Sequence, residues 1–566
     1  MSLLSVENLS VGYGDHTAIA ELSLTLEPGK VLGLVGESGS GKSTASLAVI
    51  DLLPENAARG GTIMLDGVPL PVGDEAAMNA LRGGTIGMVF QEPMTALNPM
   101  MTIGAQVAEA VQLHRRVGGR EARALSAAVL ERVGLPAATI PPTRYPHELS
   151  GGQRQRVAIA IAIAGGPRLL IADEPTTALD VTLQAQIMQL LRSLVAEGMA
   201  LLLISHDLAL VAENADAIVV MKDGRAVESG PVREVLGAPQ HGYTRRLLER
   251  MRHVPVRKLL PGTGRGTGAA GGGGAPQTTV SLAEPHLHHP SDGPPPRAGE
   301  DVLLEVSSLR RVYPSRNPFS AKGGKIALDD ASFVVRRGES VGVVGESGSG
   351  KTTLLRAVLA LDRPQGGDVR LNGRSITSAR GAALRALRRD VQAVFQDPYG
   401  SFDPRHRIER VVAEPLVLLD PPLGAAERRR RVEAALEKVG LQAGHADRFP
   451  HEFSGGQRQR IAIARALIVE PALVVLDEAV SALDVSVRAG ILDLLADLSD
   501  RLGLAFLFVS HDLSVMRAIT DRLLVMQAGR IVEQGATAEV MAAPQHPYTA
   551  SLLAATPDLE RALTTT

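Results

Sequence analysis

The sequence predicts an α/β protein built from two tandem phosphate-loop domains. Three observations carry that reading. The stretch GESGSGKST at residues 36–44 follows the apolar run VLGLV and leads into a second apolar run opening ASLAVIDLL. Its spacing, G-x-x-x-x-G-K-[ST], is that of a loop holding phosphate between a buried strand and a helix. The loop returns as GESGSGKTT at residues 345–353 after VGVV, and a series of further motifs returns with it. Between those motifs short apolar runs alternate with helical periods, the pattern of a sheet covered by helices.

Composition bounds the rest. At 566 residues with 45% hydrophobic content, the chain is long enough for several cores. No apolar run approaches the roughly 20 residues that cross a bilayer. No basic segment leads into a secretory apolar stretch. The absence of cysteine excludes disulfides and thiolate metal sites. A net charge of -2 gives no electrostatic ground for nucleic acid as a partner. The expectation is a cytosolic protein, able to dock on something embedded in a membrane.

In a phosphate loop, successive backbone N–H groups surround the β-phosphate and the helix N-terminus adds a favourable dipole. Gly36, Ser38, Gly39, Gly41 and Thr44 form that cradle in the first copy. Lys42 reaches the β- and γ-phosphates, and the Ser43 hydroxyl ligates Mg²⁺. The second copy supplies Gly345, Ser347, Gly348, Gly350 and Thr353, with Lys351 and Thr352 in the two key places.

The repeat sets the domain organisation. FQEP at 90–93 returns as FQDP at 395–398, and HELSGGQRQRVAIAIA at 147–162 as HEFSGGQRQRIAIARA at 451–466. LLIADE returns as LVVLDE, ALD as ALD, and ISHDL as VSHDL. The expected domains are residues 1–250 and 302–566, joined by a linker over 251–301. Residues 262–300 hold 10 glycines, 6 prolines and five charged side chains without a structural period, which reads as a flexible tether. His286, His288 and His289 within it resemble a metal tract, but no carboxylate or thiolate cluster surrounds them, so solvated linker is the preferred reading. PSRNPFSAKGGK, after Tyr313, reads as a surface loop.

Within each half the chemistry-bearing residues follow strand ends. LLIADE places Asp173 at the end of a buried strand, where it can hold the Mg²⁺ hydration shell, and Glu174 beside it as candidate general base. Gln91 follows another apolar strand and can sense the γ-phosphate or Mg²⁺ through water. His206 follows LLLIS and can approach the γ-phosphate. Gln396, Asp477, Glu478 and His511 stand for the same jobs in the second half. Each motif has a plainer reading, a helix cap for the acidic pair or a surface position for the histidine. Shared order and repetition favour the catalytic one. Tyr13 and Tyr313 can stack on adenine or serve as ordinary strand aromatics.

The signature LSGGQ at residues 149–153 makes the sequence resemble the ATP-binding subunits of ABC transporters. The resemblance covers both halves. It implies ATP and Mg²⁺ as ligands, and two cassettes, each with an antiparallel β subdomain and a helical subdomain bearing the signature. It also implies head-to-tail pairing of the two halves within the chain. Ser150, Gly151, Gly152 and Gln153 would then cover ATP held by Lys351, and Ser454, Gly455, Gly456 and Gln457 ATP held by Lys42. The tether would raise the effective concentration of one half near the other.

A narrower resemblance is to the dipeptide, oligopeptide and nickel importers. It rests on QEPMTALNP at 91–99, QDPYGSFDPR at 396–405, DEPTTALDVTLQAQI at 173–187 and DEAVSALDVSV at 477–487. PQHGYTRRLL at 239–248 and PQHPYTASLL resemble the class's C-terminal segment. The cysteine cluster of some members cannot be carried over. The resemblance implies ATP-driven import, with peptides leading as solute, through two transmembrane permease subunits served by an extracytoplasmic solute-binding protein. The chain would lie on the cytoplasmic face of the membrane. A fused exporter ATPase is the main alternative. A translation factor is disfavoured by the glycine- and proline-rich linker with few charges, an excision-repair ATPase by the lack of cysteine, and a chromosome-maintenance ATPase by the short span from Lys42 to Asp173.

Overall fold

The computed structural model describes residues 2–91, 96–177, 179–252, 302–314, 324–397, 400–419, 421–480 and 483–564. The expected tether from residue 253 onward, its three histidines and most of the loop after Tyr313 lie outside the described residues.

The first half contributes β1 (Leu4–Tyr13), β2 (His16–Leu26), β3 (Val31–Val35), β4 (Ala57–Leu65), β5 (Val68–Pro69) and β6 (Ile86–Val89). It continues with β7 (Leu169–Asp173), β8 (Ala200–Ser205), β9 (Ala217–Lys222) and β10 (Arg225–Pro231). These join as one ten-stranded sheet of order β5-β4-β1-β2-β10-β9-β3-β8-β7-β6. Its β5-β4-β1-β2 end is antiparallel, whereas β6, β7, β8, β3 and β9 run parallel. All five residues of VLGLV in β3 are buried, because a parallel central strand is covered on both faces.

The second half repeats the plan with β11 (Val302–Tyr313), β12 (Lys325–Arg336), β13 (Ser340–Val344), β14 (Gly366–Leu371) and β15 (Arg374–Ser375). Next come β16 (Val391–Val394), β17 (Leu473–Asp477), β18 (Ala505–Val509), β19 (Arg522–Gln527) and β20 (Arg530–Ala536). Here the antiparallel part, β12-β11-β14-β15, is a separate sheet from β16-β17-β18-β13-β19-β20. A single parallel rung from Arg225 to Glu21 accounts for the continuity of the first sheet.

Between the strands preceding the glutamine motif and the acidic motif, each half inserts helices. Ile103–Arg115 and Gly119–Arg132 pack with the signature helix Gly151–Ile163, and Ile408–Ala413 and Ala425–Lys438 with Gly455–Leu467. Val107, Val111, Leu130 and Val157 meet in one buried cluster there. Burial of each such side chain contributes roughly 1.5–3 kcal/mol.

The halves are in contact. Helix Val485–Leu502 packs on Gly242–Arg252, and Val181–Ala196 on Pro547–Ala555. The last described helix, Leu559–Thr564, lies on Leu208–Asn214 of the first half and buries Leu559 in the first half's core. Asp558 N donates to Glu213 Oε1 at 3.0 Å, and Arg252 pairs with Glu560 at 2.8 Å. Among the described residues no helix is long and apolar enough to cross a membrane.

Candidate functional site

The phosphate loops leave β3 and β13 and enter helices Lys42–Val49 and Lys351–Val358. Gly41 and Gly350 stand at those helix starts with φ of 99° and 112°. A Cβ there would lie 2.7 Å from Ala18 O or 2.5 Å from Ala327 O, so any side chain would displace a neighbouring strand. Lys42 Nζ donates to Gly36 O and Glu37 O, both at 2.9 Å. Lys351 Nζ donates to Gly345 O at 2.6 Å and Glu346 O at 2.9 Å. Burial pushes both lysine pKa values down, against the pull of nearby carboxylates: Glu174, Asp484 and Asp173 around Lys42, and Glu478, Asp180 and Asp477 around Lys351. Ser43 and Thr352 are exposed at the helix starts, with Thr44 and Thr353 half-buried behind them.

A brace for each loop comes from a residue the sequence reading did not single out. Glu37 N donates to the Tyr243 hydroxyl at 3.3 Å, and Glu346 N to that of Tyr548 at 2.9 Å. The sequence signal for both was the repeated QH-x-YT.

Asp173 ends β7, buried, and one carboxylate oxygen, Oδ1, has no hydrogen-bond partner among the described residues. Burial raises its pKa, with Ser43 and Ser46 hydrogen bonds opposing. An orphaned carboxylate oxygen close to an exposed Ser43 hydroxyl is a donor set that fits a hard cation with oxygen ligands. Burial and the Glu478 charge likewise raise Asp477.

The neighbouring glutamates have left-handed backbones, with φ of 48° at both Glu174 and Glu478. That conformation is uncommon for a side chain of this size and turns each carboxylate toward its histidine. Glu174 Oε1 lies 3.1 Å from His206 Nδ1, and Glu478 Oε1 lies 3.2 Å from His511 Nδ1. Glu174 Oε2 also accepts from Thr177 Oγ1 at 2.9 Å and Gln91 Nε2 at 3.1 Å. Burial opposes ionisation of Glu174, yet His206, Thr177 and Lys42 together hold it down to about 2. The same contact raises His206. Glu478 is also lowered, burial being outweighed by His511 and Lys351. Gln396 is exposed beyond the end of β16.

Each phosphate loop is touched by the opposite half. Asp484 Oδ1 accepts from Ser38 N at 2.8 Å, and Asp180 Oδ2 accepts from Ser347 N at 3.0 Å. These are the aspartates of the repeated ALD segment, whose cross-domain role the sequence reading missed. A cavity of about 520 Å³ lies between the halves, lined by Glu174, His206, Gln184, Arg488, His511 and Asp512 among others.

The signature residues head their helices. Ser150 accepts from Gln153 N and Gln153 accepts from Ser150 N, with Ser454 and Gln457 doing the same, so both glutamines serve as helix caps. A Cβ at Gly152 would meet Leu183 at 2.8 Å, and one at Gly456 would meet Val487 at 2.3 Å. A side chain at either position would have to displace Leu183 or Val487 of its own half. A Cβ at Gly455 would instead meet open space, and one at Gly151 would make an ordinary contact with Leu179 at 3.9 Å. Tyr13 is half-buried against the β-sheet core. The Tyr313 hydroxyl donates to Asp362 Oδ2 at 2.7 Å, and the Arg311 guanidinium lies 4.6 Å over its ring.

Comparisons with known proteins agree with this architecture. The ABC transporter family profile matches residues 19–177 and 328–481, and the profile "Oligopeptide/dipeptide transporter, C-terminal region" matches 532–566. The chain is 43% identical over 581 residues to the glutathione import ATP-binding protein GsiA of Escherichia coli, covering 99% of this chain and 90% of that protein. It is 45% identical over 569 residues to the peptidoglycan transport ATP-binding protein YejF of Agrobacterium fabrum, covering 99% and 97%. Two family cassettes in one chain, with a phosphate loop, acidic strand, signature and histidine in each, place this protein in the ABC transporter family as an ATPase.

Proposed function

We propose that this chain is the fused ATPase of a peptide importer, with two composite ATP sites formed between its halves. The observation that carries the composite reading is the reciprocal pair of contacts, Asp484 on the Ser38 amide and Asp180 on the Ser347 amide. They put the ALD segment of each half at the other's phosphate loop, the side from which a signature would approach. Gly455, open and at a helix N-terminus, then faces ATP on Lys42, and Gly151 faces ATP on Lys351.

In this assignment Lys42 and Lys351 bind the triphosphate, and Ser43 with Asp173, or Thr352 with Asp477, hold Mg²⁺. When bound, the cation would neutralise negative charge on the triphosphate. Gln91 and Gln396 report on that centre. Glu174 and Glu478 orient the attacking water and take its proton. A carboxylate held near 2 by a protonated histidine is a weak base. Drawing His206 toward a γ-phosphate oxygen releases Glu174 for that task. The chain docks on two permease subunits from the cytoplasmic side, and a solute-binding protein delivers the cargo. Short peptides are favoured by the C-terminal profile and by relatives named for glutathione and peptidoglycan transport.

Cross-linking tests the pairing, because the native chain contains no cysteine. Ser38→Cys with Gly455→Cys is expected to cross-link when ATP is added, and Ser38→Cys with Gly151→Cys is not. The reverse pattern would overturn the head-to-tail assignment.

A further inference from the structure

We propose that Arg488 is a positioning residue that ties the first ATP site to the second, and that the first half returns no equivalent tie. The inference rests on the composite sites and water-activating glutamates proposed above. Arg488 lies in the first turn of helix Val485–Leu502, its N–H donating to Asp484 O at 2.8 Å. Its Nη1 donates to Asp512 Oδ2 at 2.7 Å, and its Nε is buried with no partner among the described residues. The two side chains are only 20% and 22% exposed, so the ion pair is screened less than a surface pair.

Asp512 directly follows His511 and caps helix Leu513–Ile519 through Ser514 N at 2.9 Å and Val515 N at 3.3 Å. Arg488 therefore bonds the segment that carries the second site's histidine. His206, in the other half, lines the same cavity between the halves as Arg488. Its helix start also delivers Asp484 to the Ser38 amide. One side chain thus joins the His511 segment to the cross-domain face of the Lys42 site.

The mirror position differs in charge and in need. Gln184 occupies it, and Asp207, the counterpart of Asp512, has no ion-pair partner among the described residues. Asp180 caps its own helix by accepting from Leu183 N at 3.0 Å while also holding Ser347. Asp484 makes no such cap among the described residues, so its placement depends on what anchors the following turn. Arg488 is that anchor. Thermodynamic linkage makes binding coupling between the sites reciprocal, but turnover rates are under no such constraint. The asymmetry is therefore expected in hydrolysis.

Two backgrounds separate the sites in the full chain: Glu478→Gln leaves the Lys42 site hydrolysing, and Glu174→Gln leaves the Lys351 site. In the first, Arg488→Gln is expected to lower kcat roughly tenfold, since small misplacements cost at least that much. The ATP KM should stay within about twofold, the signature of lost transition-state positioning. Arg488→Lys should recover most of the rate by restoring a cation opposite Asp512. In the second background, Arg488→Gln should cost less than about threefold. Equal losses in both backgrounds, no loss in either, or an effect confined to KM would overturn the proposal. A second readout does not depend on the glutamates. Arg488→Gln should reduce ATP-driven cross-linking of Ser38→Cys to Gly455→Cys and spare that of Ser347→Cys to Gly151→Cys. Loss of both or of neither counts against Arg488, whereas absence of both cross-links before Arg488 is changed counts against the composite sites themselves.

Discussion

The two proposed ATP sites share their residue types and differ in their fastenings. Lysine, acidic pair and histidine superimpose in kind: each lysine is satisfied by two loop carbonyls, and each glutamate sits at a φ of 48° against a histidine. The contacts between halves do not match so closely. The Asp180 carboxylate serves both its own helix and the opposite loop, while the Asp484 carboxylate, among the described residues, bonds the opposite loop without capping its helix. Gln184 stands where Arg488 stands. The C-terminal helix Leu559–Thr564 adds a further contact to the helix that follows His206. Groups that touch phosphate are constrained by the reaction itself. Groups that join the halves answer only to one another, and fusion into a single chain lets each side specialise.

The largest expected effect tests the shared part. Lys42→Ala and Lys351→Ala should each weaken ATP capture at the altered loop by roughly 10- to 100-fold, the range of a lost charge-assisted hydrogen bond of about 1.5–3 kcal/mol. Site-resolved nucleotide binding checks this. Matching losses would support equivalent loops, and a loss at only one would move the asymmetry into the phosphate chemistry.

A smaller effect tests the fastenings. Asp484→Ala and Asp180→Ala should both weaken ATP-driven closure, because each removes an acceptor from an opposite loop amide. Only Asp180→Ala also removes a helix cap, worth about 1 kcal/mol. A domain of this size should then lose about 2–4 °C in Tm. Thermal unfolding of the two variants side by side is the measurement, and equal Tm values would erase the difference in roles.

What the sequence made legible were positions where local chemistry dictates residue type. VLGLV became a fully buried strand, GESGSGKST a loop into a helix, and LLIAD a strand ending on Asp173. The helical insertion was readable from period, whereas the antiparallel subdomain was implied by the resemblance to ABC transporter ATPases. Less legible were residues whose partner is far along the chain. ALD reads locally as a helix cap, and at Asp180 it is one, which hid the bond to Ser347. Nothing local in PDLERALT at residues 557–564 says that Leu559 enters the first half's core. The sequence also did not show that Gly152 and Gly456 lie close against Leu183 and Val487 of their own halves, while Gly455 faces open space.

The smallest expected effect concerns the tyrosine braces, and it compares the halves through one hydroxyl each. Removing the hydroxyl by Tyr548→Phe leaves Glu346 N–H without the acceptor it holds at 2.9 Å. An amide deprived of its acceptor in a partly buried setting costs about 1 kcal/mol. Tyr243→Phe removes a longer bond, 3.3 Å, from Glu37 N–H. That loop has a further tie, since Arg250 approaches the Glu37 carboxylate at 3.6 Å. The ring itself stays buried in either variant, so the core should not change and Tm should hardly move. The loss appears instead as looser phosphate-loop geometry, read as a few-fold weaker ATP binding at the Lys351 site and a smaller change at the Lys42 site. Site-resolved titration of the two variants decides it. If Tyr243→Phe weakens its site as much as Tyr548→Phe weakens the other, bond length is not what grades the braces, and the loops are as alike in their support as in their phosphate-binding residues.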